Sequence, residues 1–292
     1  MGTVAVNAAA LRLPLSLEAS QPLCLALERG EVVRLGPCPL ALSEPDLEFL
    51  RTQRKTAGAH HKNVAYRPMQ DRLTGYAGAD AARMRALMRQ FSEQSIALLR
   101  GLLSPYRFDV DYASFRPLEE EGRPAKLRAR NDLLHVDAFP TRPSRGRRIL
   151  RFFINLNPSE PRVWRTGPPF AELARQFAAS SGLLDRYRRD SQRRARSALF
   201  SWPPFSPPRP PYDRFMLAFH DWLKAQAAFQ NQPHTRWEFE PMSAWMVMTD
   251  TASHAVARGR LALEQTILVL PDSLQAPRIA PSAILAAMAA AS

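Results

Sequence analysis

The feature that most restricts the fold is the punctuation of the C-terminal half of the chain. From Lys126 onward the sequence breaks into short strand-like runs: "KLRARNDLLHVDAF", "RRILRFFINLNP", "RVWRTG", "RWEFEPMSAWMVMTD", "SHAVARG" and "RLALEQTILVL". Pro, Gly and Asn separate them. Short runs with such breaks suit an antiparallel sandwich or barrel better than a helical or parallel α/β fold. One stretch interrupts the series. Residues 167–232 carry two helical patterns, "PPFAELARQFAASSGLLDRYRRDSQRRARSALF" and "RFMLAFHDWLKAQAAFQ", joined by the proline cluster "SWPPFSPPRPPYD". We expect a helical, proline-rich insertion at about 167–232 in a single domain spanning 1–292.

The N-terminal part adds helices to this β-rich frame, so the expected class is α+β. In "SEPDLEFLRTQ", Ser43 with Asp46 three residues on makes a capping signal and predicts a helix over about 44–54. Met84, Leu87, Met88, Phe91, Ile96, Leu98 and Leu99 recur at helical spacing in "AGADAARMRALMRQFSEQSIALLRGLL", which predicts the longest helix. "RFDVDYASFRP" alternates as a strand, and residues 1–30 read as an irregular or strand-bearing lead-in.

Charge and cysteine content narrow the function classes. The 292 residues carry a formal charge of +13, and four of the 40 basic residues are lysines: Lys55, Lys62, Lys126 and Lys224. A basic surface implies anionic partners, whether nucleic acid, phosphorylated substrate or acidic membrane. A basic, non-catalytic nucleic-acid-binding protein is one reading of the charge. Against it, there is no helix-turn-helix, RRM or finger signature, so no nucleic-acid partner is expected. Cys24 and Cys38 are too few for a disulfide framework. The N-terminus does not read as a signal peptide, and the apolar tail "SAILAAMAAAS" is too short to span a bilayer. A cytoplasmic location, with peripheral membrane contact, is expected.

The chemistry concentrates in "NDLLHVDAFPTRP", residues 131–143, where His135 and Asp137 stand two apart. Along a strand, H-x-D projects both side chains to one face, close enough to bind one ion. Two histidines and one carboxylate leave metal positions open, as in non-haem Fe(II) oxygenases. The third ligand must come from elsewhere: His60, His61, His220, His234 or His254. His254 lies between two strand-like runs, 119 residues after His135. A distant histidine in the penultimate strand of a double-stranded β-helix completes such a triad, so His135, Asp137 and His254 are the candidate metal ligands. Trp164, Trp237 and Trp245 are expected in the core rather than as substrate stackers.

Taken with "HHKNVAY" upstream and "TDTASHAV" and "LEQT" downstream, the stretch "KLRARNDLLHVDAFPTRPSRGRRILRFFINLNPSEPRVWRTG" resembles the bacterial 3-deoxy-D-manno-octulosonic acid (Kdo) hydroxylases. The resemblance runs over nearly the whole chain and is most specific over residues 128–167. It implies a jelly-roll (cupin-like, double-stranded β-helix) core and an Fe(II)- and 2-oxoglutarate-dependent dioxygenase, using O2 and supported by ascorbate in vitro. The implied reaction is hydroxylation of the 3-position of a Kdo sugar on Kdo2-lipid A. Another sugar or a protein side chain is the alternative substrate. The implied iron ligands fall on His135, Asp137 and His254.

Many proteins of the wider superfamily carry an arginine for 2-oxoglutarate about ten residues after the distal histidine. Here that place reads Glu264-Gln265-Thr266. The cation for the far carboxylate is therefore sought among Arg148, Arg151 and Arg260, with Asn155 and Thr266 as neutral partners. Arg148 and Arg151 are three apart on one strand, so no more than one faces inward. The arginine-rich helix "DRYRRDSQRRARSALF" is expected to meet phosphate-bearing lipid headgroups at an anionic membrane surface, on the inner face of the inner membrane. The proline segment 202–211 is a candidate lid.

Overall fold

The computed structural model describes residues 2–53, 63–198 and 209–291. His60, His61 and positions 202–208 of the proline segment lie outside the described residues.

Strong alternation of apolar side chains builds two sheets. β1 (Thr3–Ala5), β2 (Val32–Pro37), β3 (Val64–Arg67), β4 (Arg72–Thr74), β5 (Phe108–Arg116), β6 (Arg148–Asn155), β9 (Ser243–Met248) and β11 (Ala262–Val269) form the larger one. Its order is β1-β2-β9-β6-β11-β5-β3-β4. The smaller sheet orders β10 (Ala252–Arg258), β7 (Arg162–Pro169) and β8 (Thr235–Phe239). The sheets face each other as a double-stranded β-helix. The strand-like runs "RRILRFFINLNP" to "RLALEQTILVL" account for β6 to β11.

Period two sorts the side chains into layers. On β6, Leu150, Phe152 and Ile154 join Met246 and Met248 of β9 and Leu263 and Ile267 of β11 in a core under the N-terminal helices. The residues between them face the other sheet, where Phe153, Trp164, Phe239 and Trp245 pack ring on ring. Phe239 stacks on Trp245 at 3.8 Å, and Trp164 meets Phe153 edge-on at 4.9 Å. Both Trp164 and Trp245 are fully buried, as core tryptophans should be.

α2 (Glu44–Thr52) starts where Ser43 accepts from the Asp46 N–H. α3 (Ala81–Leu102) lays Met84, Leu87, Met88, Phe91, Leu98 and Leu99 on the large sheet. Fully burying each such side chain contributes about 1.5–3 kcal/mol. The lead-in differs from expectation. Residues 17–28 form α1 (Leu17–Glu28), capped by the Ser16 hydroxyl, despite Pro22 inside it. Burial of Leu23, Cys24, Ala26 and Leu27 against the sheet outweighs the hydrogen bond that Pro22 forgoes.

Between β7 and β8 run α4 (Phe170–Phe177), α5 (Leu183–Ala198), α6 (Pro211–Ala225) and α7 (Ala227–Gln230). They form an apolar layer with Leu134, Val136 and Ala255 on the outer side of the small sheet. The chain ends in α8 (Pro281–Ala290), and no helix among the described residues is long and apolar enough to cross a membrane.

Candidate metal centre

The H-x-D segment is not the strand expected of "KLRARNDLLHVDAF". Residues 127–129 form a single helical turn, and His135 makes only an isolated bridge to His254 of β10. Each of these two histidines donates its backbone N–H to the other's carbonyl, at 3.1 and 2.9 Å. Extended geometry persists without a ladder, so alternation still operates. Leu134 and Val136 point into the helical layer, which leaves His135 and Asp137 facing the space between the sheets.

The three candidate ligands converge there. Their ligand atoms all lie within 4.8 Å of one another, with His135 Nε2 3.6 Å and His254 Nε2 3.9 Å from the Asp137 carboxylate. Each imidazole is fixed by its own backbone. His135 Nδ1 donates to the Leu133 carbonyl at 2.7 Å, and His254 Nδ1 to the Ala252 carbonyl at 2.9 Å. A carbonyl can only accept, so Nδ1 carries the hydrogen and Nε2 keeps its lone pair toward Asp137. Burial pushes both imidazoles below their ordinary pKa, holding them neutral. Burial opposes ionisation of Asp137, but the Arg151 guanidinium beside it holds its carboxyl well below the usual range. Neutral imidazoles and an ionised carboxylate are the states a divalent ion requires. The Asp137 Oδ2 atom is buried with an ion-pair contact to Arg151 at 3.0 Å but no contact of hydrogen-bond geometry, which leaves a lone pair for a cation. The donor set suits a metal of the Fe(II) type, with positions left open.

Behind the candidate ligands lies a buried charge network. Arg151 of β6 reaches Asp137 at 3.0 Å and Glu264 of β11 at 2.9 Å. Glu264 also holds Arg116, at the end of β5, at 2.5 Å. The residue standing where an arginine was sought is thus an anion that organises two other arginines. A narrow cavity is lined by His135, Asp137, His254, Arg151, Trp164 and Val256, and by two arginines the sequence reading did not single out, Arg116 and Arg162. Trp164 stacks on the His254 ring at 5.3 Å. Arg162, fully buried on β7, donates Nη1 to the Gly259 carbonyl at 2.8 Å, and its Nε has no partner. Burial beside Arg116 pushes its guanidinium down to about 10. A Cβ at Gly259 (φ +126°) would lie 2.8 Å from Arg162 Cγ, so glycine permits this close approach.

The other sequence candidates sort by face. Arg148 points away from the site and is buried against Asp250 and Thr251, so it does not reach the metal centre. Arg260 is exposed and off the cavity, because it sits at the turn after β10 rather than on a strand. Asn155 spends its amide on the Glu160 and Phe239 carbonyls. Thr266 donates to Glu264 at 3.2 Å and touches the site only through it. Of the remaining histidines, His234 is exposed. His220, expected on a helix flank, is buried edge-on to His135 with ring centroids 4.7 Å apart. A period-2 count from Trp164 does put Arg162 on its face. Nothing local shows that both lie between two sheets.

The family model for 3-deoxy-D-manno-oct-2-ulosonic acid (Kdo) hydroxylase matches residues 14–292. Three solved structures of the Kdo hydroxylase KdoO, described as a non-haem Fe(II) α-ketoglutarate-dependent dioxygenase, are similar over 99% of this chain and 96% of theirs. The apo form is 28% identical with a TM-score of 0.79. The complex with α-ketoglutarate and Fe(III) is 29% identical at 0.79, and the cobalt(II) complex 30% identical at 0.80. Comparison with curated proteins yields no match.

Proposed function

The chain belongs to the Kdo hydroxylase family, and from that premise we propose that it is an Fe(II)- and 2-oxoglutarate-dependent dioxygenase. Its reaction in this reading is hydroxylation of the 3-position of a Kdo sugar on Kdo2-lipid A. The observation that carries it is the convergence of His135, Asp137 and His254, with free Nε2 lone pairs, in a cavity that also presents arginines.

In this reading His135 Nε2, an Asp137 oxygen and His254 Nε2 hold the metal. Bound iron, with 2-oxoglutarate and O2, would supply the oxidising power for C–H hydroxylation, with succinate and CO2 as co-products. Arg151 fixes the Asp137 carboxylate through its 3.0 Å contact. Arg162, with Arg116 beside it, takes the far carboxylate of 2-oxoglutarate, because it is a buried cation whose Nε lacks a partner. Phe153, Trp164 and Val256 wall this end and exclude water. Thr266 acts only by supporting Glu264.

We read the chain as one dioxygenase domain with α4–α7 as its insertion. Arg186, Arg189 and Arg193 are exposed along α5, at spacings that share one helix face. This stripe suits the phosphates of a lipid substrate and peripheral attachment to the cytoplasmic side of the inner membrane.

The test is to incubate the protein with Fe(II), ascorbate, 2-oxoglutarate and Kdo2-lipid A and weigh the product. One added oxygen per Kdo2-lipid A is expected. Succinate formation without an oxygenated lipid would redirect the substrate to another sugar or to protein. Sedimentation with vesicles tests the stripe: charge reversal at Arg186, Arg189 and Arg193 should reduce binding to anionic vesicles and leave neutral ones unaffected.

A further inference from the structure

The helices between β7 and β8 reach the metal centre through its backbone. The H-x-D segment pairs with β10 on one edge only, through the bridge at His135 and the Val256 N–H to Asn131 carbonyl bond at 2.7 Å. Its other edge has no neighbouring strand among the described residues, and side chains take that place. The Gln230 carboxamide of α7 accepts from the Leu134 N–H at 2.8 Å and donates to the Leu134 carbonyl at 3.0 Å. Both peptide groups of Leu134 are thus paired as a strand would pair them. A second donation from Gln230 to the Leu223 carbonyl, at 2.9 Å, anchors the amide to α6. His220 of α6 donates Nδ1 to the Val136 carbonyl at 2.9 Å, between the two ligands, and its ring abuts His135.

We propose that His220 and Gln230 are positioning residues that set the metal geometry by clamping Leu134 and Val136, a role that rests on His135 and Asp137 being metal ligands. Neither residue is one of the three candidate ligands. Their leverage comes from alternation: fixing the peptides of residues 134 and 136 fixes the directions of side chains 135 and 137. Without the clamp, the bridge to His254, the Val256 N–H to Asn131 carbonyl bond at 2.7 Å and the Asp137 N–H to Thr249 carbonyl bond at 2.8 Å would hold the segment, and none of them binds the N–H or carbonyl of Leu134 or Val136.

The test is a Co(II) titration of the metal-stripped full chain, read by calorimetry and by the visible d–d bands, with thermal melting alongside. His220→Leu and Gln230→Leu should weaken Co(II) binding about 10- to 100-fold and shift the bands, the usual effect of losing a group that orients ligands. His220→Asn, whose amide N–H can replace Nδ1–H, should stay within about threefold of the parent. Folded leucine variants that melt earlier but bind Co(II) with unchanged affinity and bands overturn the proposal, since support of the fold alone would do that. Should the leucine variants fail to fold, Gln230→Glu decides by the same criterion, because it keeps the acceptor for Leu134 and loses both donations. A parent chain that takes up no Co(II), or a His135→Ala chain that binds it equally well, instead overturns the metal-centre reading itself.

Discussion

Glu264→Gln tests the network behind the metal centre. Glu264 is fully buried and sits 2.5 Å from Arg116 and 2.9 Å from Arg151. Glutamine keeps the shape but removes the charge and turns one acceptor into a donor facing an arginine. Breaking a buried pair in this way costs about 3–5 kcal/mol. The low end applies, because Arg151 retains Asp137 at 3.0 Å and Arg116 retains Glu120 at 3.9 Å. With about 2.1 cal/mol/K of unfolding entropy per residue, 292 residues give ~0.6 kcal/mol/K, so ~3 kcal/mol lowers Tm by about 5 °C.

The pH dependence follows from the same contacts. Burial opposes ionisation of Glu264, yet Arg116 and Arg151 hold its carboxyl below the ordinary 4.5. A depressed carboxyl stabilises the fold above its unfolded pKa and loses that effect as pH falls through the folded value. The gap between parent and variant should therefore persist down to pH 4.5 and shrink below it. Freed of its closest anion, Arg116 beside Arg162 should also accept 2-oxoglutarate more readily, so its addition should raise the variant's Tm more than the parent's. Calorimetric melting with and without 2-oxoglutarate reads both effects. A Tm within 1 °C of the parent, with equal 2-oxoglutarate shifts, would refute the reasoning.

Three other outcomes are expected. Arg162→Met should raise the KM for 2-oxoglutarate roughly 10- to 100-fold, the worth of a charged hydrogen bond of about 1.5–3 kcal/mol, while raising apo stability by removing a buried unpaired cation; turnover at varied 2-oxoglutarate and urea unfolding measure the two. Lys224 is buried on α6 with its amine pushed down to about 8 from 10.5 by burial, so the folded state resists a charge the unfolded chain carries. Lys224→Met should stabilise by up to about 3 kcal/mol at pH 7, and the gain should vanish as pH rises from 8 to 10.5, where the unfolded lysine also discharges; urea midpoints at pH 7 and 10.5 check it. Phe91→Ala, deep under the large sheet, should cost about 3–5 kcal/mol in urea unfolding and leave the Co(II) affinity of the folded protein unchanged.

What the chain's sequence determined by itself was what local rules can carry. Alternation located β5, short runs set off by Pro, Gly and Asn located β6 to β11, the capping serine located α2, and the apolar stripe located α3, since each depends on neighbours a few residues away. The H-x-D spacing and a late histidine among strands were enough to nominate His135, Asp137 and His254, and the tertiary structure brings their ligand atoms together. Helix α1 was missed because Pro22 reads as a breaker until the buried face of the helix is seen.

The rest was settled by contacts between distant segments. Alternation allowed only one of Arg148 and Arg151 to face inward, but which one depended on Asp250 waiting on one face and Asp137 and Glu264 on the other. Arg116 and Arg162 share the cavity because β5 and β7 belong to opposite sheets, and no local pattern encodes that meeting. The same holds for His220 and Gln230, which lie 84 and 96 residues along the chain from the peptides they bind. The candidate ligands were therefore legible from spacing, while their electrostatic surroundings existed only once two sheets and the inserted helices had closed around them.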